Sequence, residues 1–111
     1  MNYYSLNNKT HQVSFQEAVI QGLAPDRGLY FPQTLTPLPA SFFETIENLS
    51  NETIAFEAIK QFVGDEIPEA ELKHILNETI CFDFPLVEVE ENIYSLELFH
   101  GPTMAFKDVG A

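Results

Sequence analysis

The chain has 111 residues, enough for one small domain or one domain plus the opening elements of a second. Hydrophobic residues make up 45% of it and the mean hydropathy is −0.06, values of a soluble globular protein rather than a disordered one. Five Lys and Arg against 17 Asp and Glu give a net charge of −12, which repels phosphate backbones and anionic lipid heads and argues against nucleic-acid and membrane partners.

No apolar run approaches the roughly 20 residues of a membrane-spanning helix. Met1 to Thr10 lacks the basic flank and apolar stretch of a signal peptide. The single Cys81 has no internal disulfide partner, which suits a reducing, cytoplasmic compartment. Glycosylation-type triplets begin at Asn48, Asn51 and Asn77, and without a secretion signal they read as chance matches.

Asn2 to Ser5 reads as a short strand. Ser14 and Glu17 then have the S-x-x-E spacing of a capping box, with Val13 and Ala18 at the staple positions and Gly22 as a left-handed terminator, so a helix is expected over Phe15 to Gln21. Gly28 to Phe31 reads as a strand stopped by Pro32, and Pro32, Pro37 and Pro39 stiffen the connector that follows. A short helix is expected after Ser41, with Phe42, Phe43, Ile46 and Leu49 on one side. Ile54, Ala55, Ala58, Ile59, Phe62 and Val63 recur at three-to-four spacing up to Gly64, the pattern of a longer amphipathic helix. Pro68 suits a first helical position, and Leu72, Ile75, Leu76 and Ile80 form the stripe of the next helix. The two stripes are expected to be buried against each other or against the strands.

Composition shifts near Phe82. Leu86 to Val89 and Asn92 to Leu98 look like two strands turning at Glu90-Glu91. Gly101-Pro102 breaks the second strand, and Thr103 stands where it would cap a helix beginning Met104-Ala105-Phe106-Lys107. The fold class is therefore α+β: a small mixed unit over residues 1–82, then the first strands of another domain over residues 83–111.

A strand, a tight turn and a helix start, as in Phe99 to Asp108, form a junction where free helix amides and loop backbone converge on ligands. Lys107 differs from Lys9, Lys60 and Lys73 in following the apolar residues Met104, Ala105 and Phe106. An amine that loses hydration holds its proton less tightly and attacks aldehydes more readily. On residue type alone, a lysine near a helix start is a solvated one. Thr103 and Asp108 have the bland readings of helix cap and first-turn acid, and His100 that of a satisfied turn residue. His11 and His74 have no partner at ligand spacing and Cys81 is isolated, so no metal site is expected.

The run Leu96-Glu97-Leu98-Phe99-His100-Gly101-Pro102-Thr103-Met104-Ala105-Phe106-Lys107-Asp108 closely resembles the signature of threonine synthases, fold-type II enzymes dependent on pyridoxal 5′-phosphate (PLP). Phe-Lys-Asp alone is common to the wider PLP family, whereas the Phe-His-Gly-Pro-Thr lead-in is specific. Val13-Ser14-Phe15, Gln21-Gly22-Leu23, Gly28-Leu29-Tyr30-Phe31-Pro32 and Phe62-Val63-Gly64-Asp65-Glu66-Ile67-Pro68 resemble the start of the longer bacterial and fungal class, so the likeness covers essentially the whole chain. Met104 and Val109 depart from the commoner leucine and aromatic.

The resemblance implies that Lys107 carries PLP as a Schiff base and moves protons, with Phe106, Asp108 and Thr103 as candidate cofactor contacts beside it. It implies conversion of O-phospho-L-homoserine and water to L-threonine and phosphate. Such enzymes run to several hundred residues. The expectation is thus an amino-terminal fragment, inactive alone, with the glycine-rich phosphate loop beyond Ala111. Two other readings stay open: a related PLP phospholyase that eliminates phosphate without adding water, and a free-standing interaction module without catalysis.

Overall fold

A computed structural model describes residues 1–110. It divides into two compact units, Met1–Leu76 and the residues from Asn77 onward.

The first unit is built on a three-stranded antiparallel sheet of β1 (Asn2–Ser5), β2 (Gln12–Ser14) and β3 (Tyr30–Pro32), in the order β2-β1-β3. Tyr3 pairs with Val13 on one side and Pro32 on the other. β3 starts two residues later than the sequence pattern suggests and ends one later. Gly28 belongs instead to a closed loop, in which the Ala24 amide donates to the Gly28 carbonyl at 3.0 Å. Pro32 ends the strand from within it, tolerable on an edge strand that spares its missing donor.

Helix α1 (Phe15–Gln21) follows β2 directly. Its capping box is complete: the Glu17 amide donates to Ser14 Oγ at 3.1 Å and the Ser14 amide to Glu17 Oε2 at 3.0 Å. Gly22 closes it at φ 70°, donating its amide to the Ala18 carbonyl. Val13 and Ala18 meet Tyr3 in a small buried cluster, with Met1, Phe15 and Tyr30 packed on its edge.

The prolyl connector has no regular structure. Helix α2 (Ala40–Thr45) starts after Pro39 rather than after Ser41, has no side-chain cap, and runs into a 3₁₀ turn over Ile46–Asn48. Helix α3 (Asn51–Val63) is capped by Ser50 Oγ, which accepts the Thr53 amide, and ends at Gly64 with φ 63°. The Phe62 carbonyl accepts the Tyr3 hydroxyl at 2.7 Å, tying α3 to the sheet. In α4 (Glu69–Thr79), Pro68 stands one position before the helix, where its carbonyl accepts the Leu72 amide.

The expected burial of the two stripes is corrected in part. Val63, Leu72 and Leu76 are buried, Ile54 and Phe62 are half-buried, but Ile59 and Ile75 are exposed. Helices this short turn a narrow face inward, and residues at its margin stay wet.

The second unit holds a hairpin of β4 (Leu86–Glu90) and β5 (Ile93–Leu96). The pairing runs from Leu86 opposite Leu96 to Glu90 opposite Ile93, with a bulge between Glu88 and Glu90. The turn lies at Glu91-Asn92, one residue later than expected, because Asn92 takes the left-handed conformation at φ 63° that asparagine tolerates. β5 ends at Leu96 rather than Leu98. Every residue of both strands is exposed.

Candidate functional site

The segment leaving β5 is arranged by local bonds. The Glu97 amide donates to the Pro85 carbonyl at 2.9 Å, extending the hairpin by one rung. Glu97 Oε2 lies 2.7 Å from His100 Nε2, and the His100 ring packs on Phe99 with centroids 4.5 Å apart. His100 is thus a satisfied turn residue, as its position before Gly-Pro suggests.

Gly101 opens a tight turn in which the Met104 amide donates to the Gly101 carbonyl at 3.0 Å. Met104 has φ 56°, a left-handed conformation that costs a non-glycine residue energy. This overturns the expected helix start at Met104. Helix α5 begins at Lys107 and is described over Lys107–Gly110. Thr103 therefore caps nothing. The relation runs the other way: Asp108 Oδ2 accepts the Thr103 amide at 2.9 Å and Asp108 Oδ1 accepts the Thr103 hydroxyl at 2.7 Å. These bonds, the hydroxyl first, hold the Asp108 carboxyl below its ordinary range.

Gly101 is buried because the Asp108 side chain occupies the space beside it. A Cβ on Gly101 would lie 2.5 Å from Asp108 Cβ. Sequence reasoning missed this contact; without positive φ, Gly101 is needed here for close packing rather than for its backbone conformation.

Of the four expected site residues, Thr103 and Asp108 are brought into direct contact, while Lys107 and Phe106 are exposed at the loop–helix junction. Phe99, Met104 and Phe106, near Lys107 in sequence, are 53%, 77% and 66% exposed. An exposed primary amine at the start of a helix, after a loop held by hydrogen bonds, could meet the aldehyde of a cofactor such as PLP. Of the other glycines, Gly28 packs on Ser5 and Asp26, and Gly64 on Met1.

The family model of the threonine synthase N terminus matches residues 2–80. This chain belongs to the threonine synthase family. It is 39% identical to the threonine synthase of Escherichia coli over 110 residues, 99% of this chain and 26% of that protein. Against the Saccharomyces cerevisiae threonine synthase it is 43% identical over 108 residues, 87% of this chain and 21% of that protein. The chain thus spans about a quarter of the length of these relatives.

Solved threonine synthases agree in fold. The Escherichia coli crystal structure superposes with a TM-score of 0.88 at 39% identity, over 99% of this chain and 26% of that one. The PLP-bound threonine synthase of Brucella melitensis gives 0.86 at 37% identity, over 98% and 25%. The small mixed α and β architecture is therefore that of the amino-terminal part of threonine synthases. No helix among the described residues is long and apolar enough to cross a membrane.

Proposed function

We propose that residues 1–111 serve as the amino-terminal quarter of a cytoplasmic, PLP-dependent threonine synthase that converts O-phospho-L-homoserine and water to L-threonine and phosphate. In this reading residues 1–82 are the amino-terminal domain, residues 83–111 open the catalytic domain, and Lys107 carries the cofactor.

The observation that supports it most is the Phe99–Asp108 segment, where Lys107 starts a helix after a loop fixed by side-chain bonds and bordered by uncovered apolar residues. When bound, PLP supplies an electron sink for the pair released at a substrate carbon. Lys107 contributes the amine that holds the cofactor aldehyde, and the same Nζ takes and returns substrate protons. Phe99, Met104 and Phe106 exclude water once covered, which strengthens every charge interaction beside the amine. On this reading residues 1–111 alone should bind PLP weakly and turn nothing over.

The test is to reduce the PLP-loaded full-length protein with borohydride and map the modified lysine by mass spectrometry. Label on Lys107, with loss of threonine formation and of visible cofactor absorbance in Lys107→Ala, supports the reading. Retained turnover in Lys107→Ala overturns it. Tight stoichiometric PLP binding by residues 1–111 alone would show that the anchoring lies within them.

A further inference from the structure

We propose that Asp108 and Thr103 are positioning residues that set the place of Lys107 by locking the Gly101–Phe106 loop onto the first turn of α5, and that neither one contacts cofactor or substrate. This rests on the assignment of Lys107 above.

Three observations carry it. Both Asp108 oxygens are engaged by one residue, Oδ2 by the Thr103 amide at 2.9 Å and Oδ1 by the Thr103 hydroxyl at 2.7 Å. The carboxylate, adjacent to Lys107 in sequence, is thereby directed back onto the loop. The Asp108 side chain is also wedged against Gly101, where a Cβ would meet its Cβ at 2.5 Å and its Oδ2 at 2.6 Å. Finally, the clamped loop contains Met104 at φ 56°, a strained conformation that persists only where its surroundings over-determine it. The Asp108–Thr103 bonds and the Gly101–Met104 turn bracket that residue on both sides. Lys107 is one peptide from Asp108, so fixing Asp108 against the loop fixes the backbone from which the amine projects.

Chemistry separates this role from direct contact. In Asp108→Asn the amide oxygen still accepts the Thr103 amide while its NH₂ donates to the Thr103 hydroxyl, so the clamp survives without its charge. Asp108→Ala removes both bonds, Thr103→Val removes the hydroxyl bond, and Thr103→Ser keeps both.

The experiment measures PLP affinity of the full-length protein by equilibrium dialysis, with borohydride trapping to identify the labelled lysine. Asp108→Ala and Thr103→Val should each weaken PLP binding on the order of tenfold, and the double variant should be no worse than Asp108→Ala, the non-additivity of residues acting as one unit. Asp108→Asn and Thr103→Ser should stay within about threefold of the parent. If Asp108→Asn is as damaging as Asp108→Ala while Thr103→Val is silent, the carboxylate acts directly and the proposal fails. Trapping of a different lysine in the parent protein refutes the assignment of Lys107 itself, whatever the variants do. A cofactor-free reading comes from NMR on residues 1–111: the Thr103 amide proton should shift with the titration of Asp108, and an amide that ignores it means the clamp is not formed.

Discussion

The carboxylate of Glu66 accepts the backbone amide of Phe15, 51 residues earlier in the chain, at 2.9 Å. Its other oxygen accepts the Gln16 amide at the same distance. With the Glu17 amide on Ser14 Oγ, the first three amides of α1 are all satisfied, two of them by a side chain from beyond α3. Ser14→Ala should therefore cost about 0.5–1 kcal/mol, the lower part of the usual range for an N-cap, since Glu66 continues to hold the helix start. Denaturant midpoints of Ser14→Ala, Glu66→Gln and the double variant measure it. An effect of Ser14→Ala that is no larger without Glu66 would mean the two do not share the load.

Four carboxyls are held below their ordinary values: Glu66 by the Gln16 and Phe15 amides, Asp26 by the Ser5 hydroxyl and the Gly28 amide, Glu69 by the Lys73 ammonium, and Asp108 by the Thr103 hydroxyl. A group with a depressed folded pKa contributes stability that is complete above its unfolded value and is lost as pH falls through the folded one. The ordinary values are 4.5 for Glu and 3.8 for Asp. Stability linked to these groups should be flat from neutral pH to just above that range, then decline steadily below it. Thermal melts across pH 3–7 read this, and Glu66→Gln should make the acid limb shallower. An acid limb unchanged by that substitution would remove Glu66 from the explanation.

Arg27 has φ 65° in the loop closed by the Ala24–Gly28 bond. Arginine gains nothing from a left-handed conformation that glycine adopts freely, so Arg27→Gly should stabilise the chain by roughly 0.5–1 kcal/mol even after the added flexibility of the unfolded state. A lowered melting temperature would show that the Arg27 side chain makes a contribution larger than its strain.

The contrast between Leu72 and Ile75 tests the packing of α4. Leu72 is buried and Ile75 is 44% exposed, although both lie on the stripe that periodicity marks as core. Leu72→Ala should cost about 2–4 kcal/mol, whereas Ile75→Ala should cost under about 1 kcal/mol. Equal losses, read by urea denaturation, would place Ile75 in the core as well.

Local signals explain what was legible. Capping boxes, terminating glycines and three-to-four spacing depend on residues a few positions apart, and α1, α3 and α4 follow them closely. What escaped depends on distance or on strain. Nothing local in Glu66 tells of Phe15, and nothing in Met104 tells of a left-handed turn. At the candidate site the lysine, the turn and the neighbouring acid were all legible as residues. The direction of the Thr103–Asp108 relation was not, because Thr before an apolar run signals a cap as readily as a donor.

Gly101→Ala should disrupt the candidate site by a purely steric route. Gly101 does not have positive φ, so alanine meets no backbone penalty there. Its Cβ would instead lie 2.5 Å from Asp108 Cβ, closer than real Cβ atoms approach. Asp108 Cβ sits next to its own backbone and has no rotamer that withdraws it. Either α5 moves away from the turn or the turn opens. Both lengthen the Thr103–Asp108 bonds, so the Thr103 amide should exchange faster with solvent and Asp108 should titrate nearer its ordinary value. Gly110→Ala is the matched control in the same helix, since nothing lies within 4 Å of a Cβ placed there. It should leave Thr103 exchange and Asp108 titration unchanged. If Gly101→Ala behaves like that control, the close packing of Gly101 on Asp108 is not a feature of the protein in solution, and the clamp loses its support.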